Sequence, residues 1–193
     1  MADQSKLRCG ETGKRISLRI LLTVIIMLPA LLLAQTEQKE DIWAPFRNLI
    51  GEWEGTGGRG SNKSQVEAEY RLVLNERYLK VSHKAVFPPS EDSPEGEIHE
   101  DRGFISYDQY REKYVFRQFH VEGFVNQYVL DTLSSDAKIF VFNSEQIENA
   151  PPGTKANLTI TIAHENEIMT NFNVAFPGKE FQCYSKTHLK RRR

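Results

Sequence analysis

From Val66 onward the chain alternates. Val66, Ala68, Tyr70, Leu72 and Leu74 interleave with Glu67, Glu69 and Arg71, and Leu79, Val81, His83, Ala85 and Phe87 interleave with Lys80, Ser82 and Lys84. A period of two sends one set of side chains to each face of a pleated strand, so each segment has one side that must be covered. Strand patterns return at 103–107, 114–121, 124–130, 139–142, 158–162, 168–176 and 181–189. Turn-formers separate them: Asn75-Glu76, Pro88-Pro89 with an acidic loop over 90–97, residues 108–112, Gly123, Ser134-Ser135-Asp136, Pro151-Pro152-Gly153, residues 164–166 and Pro177-Gly178. No helix-length segment lies between the strands, which argues against parallel βαβ units.

A meander of this length has two bare edges unless it closes on itself. The expected fold is all-β, a single antiparallel up-and-down β-barrel of about 9–10 strands, lipocalin-like, wide enough to enclose one small ligand. A two-sheet sandwich is the competing arrangement, and short sequential connections favour the barrel over it.

The barrel needs an entry, and residues 41–50 read as a short helix. Asp41 serves as its cap, Pro45 sits in its first turn, Gly51 ends it, and Trp43, Phe46, Leu49 and Ile50 share a side. Further upstream, Lys14, Arg15 and Arg19 precede an apolar run over 20–34. Cations followed by an apolar stretch too short to cross a bilayer comfortably read as a secretory signal. The expected organisation is a signal peptide at 1–34, a flexible linker at 35–40 and the barrel domain at 41–193. The protein would be exported, either periplasmic or secreted. It would be membrane-anchored if the leader stays on, and without a stable membrane span once it is cut.

Charge and cysteine usage narrow the partners. The chain has 25 basic and 26 acidic residues, of which five and two fall in 1–34, leaving 20 and 24. A mildly acidic domain has no general pull toward nucleic acid, and the cations at 190–193 read as a solvated end. Cys9 lies in the leader, so Cys183 is left without an internal disulfide partner.

Motifs for catalysis are missing from the sequence. There is no Gly-x-Ser-x-Gly elbow, and Gly55, Gly57, Gly58 and Gly60 lead into a strand rather than a phosphate-binding helix. The chain is therefore read as not an enzyme; the competing enzymatic reading would use His120 with Glu122. His83 lies on an apolar stripe and faces the interior, as a hydrogen-bonded core histidine or as a ligand contact. Tyr114, Phe116, Gln118 and His120 share one strand face, and Asn126 and Tyr128 continue on the next strand. His83, Gln118, His120, Asn126 and Tyr128 are thus candidate ligand-binding residues, isolated polar groups among aromatics. The same set could instead be the polar network of a filled barrel. His120 and Glu122, two apart, could pair on a metal, but no third ligand stands at a recognisable spacing.

The segment Leu49-Ile50-Gly51-Glu52-Trp53 carries a resemblance. A short helix followed by Gly-x-Trp on the first strand is similar to the opening of lipocalins and their calycin relatives. There the helix plugs one end, the indole covers the barrel floor, and a basic residue near the last strand stacks on it. The resemblance implies Trp53 at the floor with a cation from the last strand, Lys190 or Arg191, and Arg191 is the expected partner. Gly51-Glu-Trp53-Glu-Gly55, Lys80-Val-Ser-His83 and His99-Glu-Asp-Arg-Gly103-Phe-Ile-Ser-Tyr107 together resemble the nitrobindin-like haem-binding β-barrels, over roughly 46–189. That resemblance implies haem as a cofactor, held by one histidine on a late strand, and His188 stands near that place as the candidate metal ligand. Strand phase opposes this, since His188 shares the more polar face with Gln182, Tyr184 and Lys186. The functional expectation is an exported binding protein for a small, partly apolar ligand, with haem the named candidate. The alternative is a filled barrel that serves as a structural or interaction module of the cell envelope and carries no ligand.

Overall fold

Alternation in the sequence becomes ten antiparallel strands in a computed structural model that describes residues 41–91 and 93–193. They are β1 (Gly51–Arg59), β2 (Asn62–Val73), β3 (Tyr78–Phe87), β4 (Glu97–Asp108), β5 (Lys113–His120), β6 (Val125–Leu133), β7 (Ile139–Glu148), β8 (Lys155–His164), β9 (Glu167–Ala175) and β10 (Gln182–Arg191). Each pairs with its neighbour in sequence, and β1 pairs with β10, so the sheet closes into a barrel. Closure satisfies both edges with one another and settles the choice between barrel and sandwich. The leader and the linker expected at 1–34 and 35–40 lie outside the described residues. Among the described residues, no helix is long and apolar enough to cross a membrane.

One end of the barrel is plugged. Ala44–Leu49 forms a 3₁₀ helix rather than an α-helix. Three residues per turn align Trp43, Phe46 and Leu49 on one side, and all three are buried. The expected Asp41 cap is not at the helix start; Trp43 holds that position, without a side-chain cap. Phe46 stacks on Phe140 with ring centroids 5.0 Å apart and meets the edge of Tyr114 at 4.8 Å. The Trp43 indole N–H donates to the Glu76 carbonyl at 2.6 Å, and the Trp53 indole N–H to the Leu49 carbonyl at 2.8 Å. The Tyr114 hydroxyl donates to the Ile42 carbonyl. Each large ring thus buries its apolar body and still satisfies its polar atom.

Several strand limits depart from those expected, with β7 running on to Glu148 and β8 starting at Lys155, and three differences have a clear local cause. β2 stops at Val73, because Leu74, Asn75 and Glu76 form a left-handed turn with φ of 51°, 54° and 58°, and Leu74 is exposed there. β4 begins at Glu97, not Gly103. Its first half carries His99, Glu100, Asp101 and Arg102, which hide the alternation because the inward positions are polar. β10 has a register shift between Cys183 and Ser185. Thr187 and Leu189 are buried, whereas Phe181 and Cys183, expected on the same face, are exposed. A bulge of this kind re-aims the side chains beyond it.

Inward-facing residues divide the interior into two halves. Near the plug the space is filled by Trp53, Tyr70, Leu79, Ile105, Phe116, Tyr128, Phe140, Phe142, Ile168 and Leu189, all buried. Toward the opposite end, inward positions such as His83, His99, Gln118, His120, Leu158 and Phe172 are only partly buried. That half-exposed rim is where the site lies.

Candidate functional site

Strand register builds the site. His83 on β3 lies opposite Asp101 on β4, and Asp101 lies opposite His120 on β5. The three therefore form one rung across neighbouring strands, facing inward. His99 precedes Asp101 by two residues on β4 and shares its face. One step toward the plug, Gly103 lies opposite Gln118, and Gln118 opposite Asn126 on β6. Phe116 and Tyr128 form the next layer, stacked with centroids 5.7 Å apart.

Asp101 is the centre of this network. Its side chain is 5 % exposed. Gln118 Nε2 donates to its Oδ1 at 2.6 Å. On its other oxygen, Oδ2, His83 Nδ1 approaches to 3.0 Å and His99 Nε2 to 3.5 Å. The His83 contact is short but not aligned as a hydrogen bond, and no other group satisfies that buried nitrogen. Burial works to raise the Asp101 carboxyl, but His83, His99 and Gln118 outweigh it and hold the group well below the usual carboxylate range.

The histidines differ in charge. His99 is pushed up to about 9, chiefly by its hydrogen bond to Asp101; burial opposes this and Glu122 adds to it. Its Nδ1 donates to Glu122 Oε1 at 2.5 Å. His120 moves the other way, because burial outweighs the pull of the Asp101 charge. The Asn126 side-chain amide bridges His120 Nε2 and the Tyr128 hydroxyl, 2.9 Å from each. Burial raises the Tyr128 phenol above its ordinary value, so it stays protonated. A cationic His99 thus sits beside a neutral His120 around one buried carboxylate.

All five candidate ligand-binding residues, His83, Gln118, His120, Asn126 and Tyr128, fall on this inward patch. Trp53 and Arg191 meet at the plugged end, with the guanidinium carbon 4.2 Å from the indole centroid. His188 is elsewhere. It is half exposed on the outer wall and paired with Glu167. Glu122 does not share a strand face with His120, because β5 ends at His120 and Glu122 lies in the following turn. From there it reaches back to His99. The sequence reading missed His99 and Asp101 as site residues. The signal was present in the spacing of His99, Asp101, Gly103, Ile105 and Tyr107, but polar residues on both faces concealed it.

No family model matches the sequence, and no curated protein does. Solved structures match in shape. The structure of Rv2717c from M. tuberculosis superposes with a TM-score of 0.58 at 14% identity, covering 78% of this chain and 97% of that one. What is shared is the closed antiparallel β-barrel. An S-type phycobiliprotein lyase, CPES from Guillardia theta, aligns at a TM-score of 0.49 and 13% identity over 80% of this chain and 94% of its own. A de novo designed fluorescence-activating β-barrel aligns at 0.38 and 13% identity over 74% and 93%. At these identities the likeness concerns the fold alone.

Proposed function

We propose that this calycin-like barrel is a binding protein that takes one small, partly apolar molecule into its open half. The observation that carries this reading is the two-sided rim. On β3, β4 and β5 the inward groups are His83, His99, Gln118 and His120. On β7, β8 and β9 they are Ile147, Leu158 and Phe172, partly buried and packed against the core. A molecule with an apolar body and a polar head meets both sides: the body lies on the apolar wall and the head on the histidine rung. The plugged half is filled, as the structural-module reading expects. Side chains in the other half point inward yet keep contact with solvent, and this favours ligand binding.

Haem is the named ligand to test, by family resemblance. It has an apolar macrocycle and anionic groups, which suit such a rim. His188 stands outside the wall and cannot reach an interior ligand. His83 would hold the group in its place, since Nδ1 turns to Asp101 and Nε2 is left to face a bound molecule. A bound haem would supply an iron centre for small ligands; the chain would supply the imidazole, the orienting carboxylate and a water-excluding floor.

Hemin titration followed by absorption spectroscopy tests this. The expected result is a Soret shift saturating at one hemin per chain, lost in His83→Ala and kept in His188→Ala. A flat titration removes haem. The broader reading is then tested with an environment-sensitive apolar dye and by native mass spectrometry of freshly purified protein. Absence of both dye binding and a co-purified small molecule would overturn it. Export belongs to the same proposal, supported by the apolar run at 20–34; N-terminal mass mapping of the mature chain should place the cut after Ala34.

A further inference from the structure

We propose that the open end of the barrel holds a divalent first-row transition metal ion of the Zn²⁺ type on His99, Asp101 and His120. Register brings the three together where spacing does not. His99 and Asp101 are two apart on one face of β4, and His120 lies directly opposite Asp101 on β5. One donor atom from each lies within 4.8 Å of the other two. His99 Nε2 is already 3.5 Å from Asp101 Oδ2. Donors about 2.1 Å from a tetrahedral metal stand roughly 3.4 Å from one another, so small side-chain rotations complete the set.

The outer side of each donor sets this trio apart from an ordinary polar cluster. His99 Nδ1 is held by Glu122 at 2.5 Å, Asp101 Oδ1 by Gln118 at 2.6 Å, and His120 Nε2 by the Asn126 amide at 2.9 Å. Each histidine is thus held through one ring nitrogen, which leaves the other for the space the three share, while Asp101 turns Oδ2 to His99 at 3.5 Å and to His83 at 3.0 Å. Metal-binding imidazoles donate their second N–H to such an anchor; His99 does so to Glu122, and His120 does so once the Asn126 amide turns its oxygen toward Nε2. The anchors come from three places, β5, β6 and the turn after β5, so no single stretch of sequence specifies them.

Two imidazoles and one carboxylate select the ion class. Ca²⁺ and Mg²⁺ prefer oxygen ligands, whereas imidazole suits Zn²⁺, Fe²⁺, Co²⁺ and their neighbours. Three protein donors leave at least one coordination position, open to water or to the polar head of a molecule in the barrel. His83, on the far side of Asp101, positions the carboxylate. The site does not depend on the organic ligand proposed above, so the two readings can fail separately.

The test uses the full chain, stripped of metal and titrated in mildly alkaline buffer with Zn²⁺ by calorimetry and with Co²⁺ by visible absorption. One equivalent per chain is expected, with Co²⁺ bands of low-coordinate nitrogen and oxygen ligation. His99→Ala and His120→Ala should each abolish binding. Glu122→Gln, which removes only an exposed anchor, should weaken it about 10–100-fold while leaving the metal-free melting curve unchanged. His188→Ala on the outer wall should bind like the parent. A parent chain that binds neither ion overturns the proposal. So does retained binding in either His99→Ala or His120→Ala, or loss in His188→Ala equal to theirs. If an alanine variant fails to fold, Glu122→Gln decides, and full affinity there counts against the site.

Discussion

The Arg191 guanidinium lies over the Trp53 ring at 4.2 Å and donates to two backbone carbonyls, Ile50 at 2.6 Å and Asn48 at 2.8 Å. It therefore ties the last strand to the first and to the plug. Trp53 and Arg191 are also direct partners in the β1–β10 ladder, the pairing that closes the barrel.

Arg191→Ala should cost about 2–4 kcal/mol, from the lost cation–π contact and the two charge-assisted hydrogen bonds. Urea unfolding should show a lower midpoint with an unchanged slope. Arg191→Lys should recover only part of the loss, because an ammonium cannot lie flat on the indole while reaching both carbonyls. Equal stability of the Lys variant and the parent would refute this geometry.

Gly51 makes the closure sterically available. Its φ is +137°, and a Cβ there would fall 2.5 Å from Arg191 Nη1. Gly51→Ala should thus destabilise by about 1–3 kcal/mol through backbone strain, and should also displace the guanidinium. In the Arg191→Ala background the substitution should cost less, since the clash is gone. A double-mutant cycle measures this coupling, and strict additivity would show that the two positions act independently.

The plug should be as costly to lose as any part of the barrel. Phe46 is fully buried between Tyr114 and Phe140. Phe46→Ala should cost about 3–5 kcal/mol from lost burial and the cavity left behind. Phe46→Leu should cost considerably less. Thermal melts of the two variants against the parent check the order.

The site predicts a pH profile. His99 is raised to about 9, so its contribution is full below the ordinary histidine range near 6.5 and is lost as pH rises through about 9. Asp101 is lowered, so its contribution is full above the ordinary carboxylate value and is lost as pH falls below it. Stability attributable to the pair should peak in mildly acidic solution and decline on both sides. Asp101→Asn should pull His99 back toward the ordinary histidine range, read by NMR titration of its ring protons, and should flatten the alkaline decline. A His99 titration unmoved by Asp101→Asn would contradict the assignment of Asp101 as its main partner.

The parts of this fold visible in the sequence are those that local pattern can carry. β2 and β3 announced themselves because Val66, Ala68, Leu79 and Val81 alternate with charged residues, and turn chemistry at Pro88-Pro89, Pro151-Pro152-Gly153 and Pro177-Gly178 marked the breaks. The inward direction of His83, Gln118, His120, Asn126 and Tyr128 is legible for the same reason: each sits in phase with apolar neighbours. Their grouping was not. The first half of β4 reads as polar on both faces, so His99 and Asp101 lacked the apolar alternation that reveals a strand. The bulge in β10 likewise broke a phase that sequence spacing takes as continuous.

Period and turns are written along the chain, and they alone specify an all-β meander with one apolar face. Which residues meet across that meander depends on register and closure. Register sets Asp101 beside both His83 and His120, and closure brings Arg191 onto Trp53. These contacts join positions far apart in sequence, each decided by the pairing of whole strands rather than by any local preference. The electrostatics of the site follow from that pairing, because one buried carboxylate shared by several histidines exists only once three strands lie side by side.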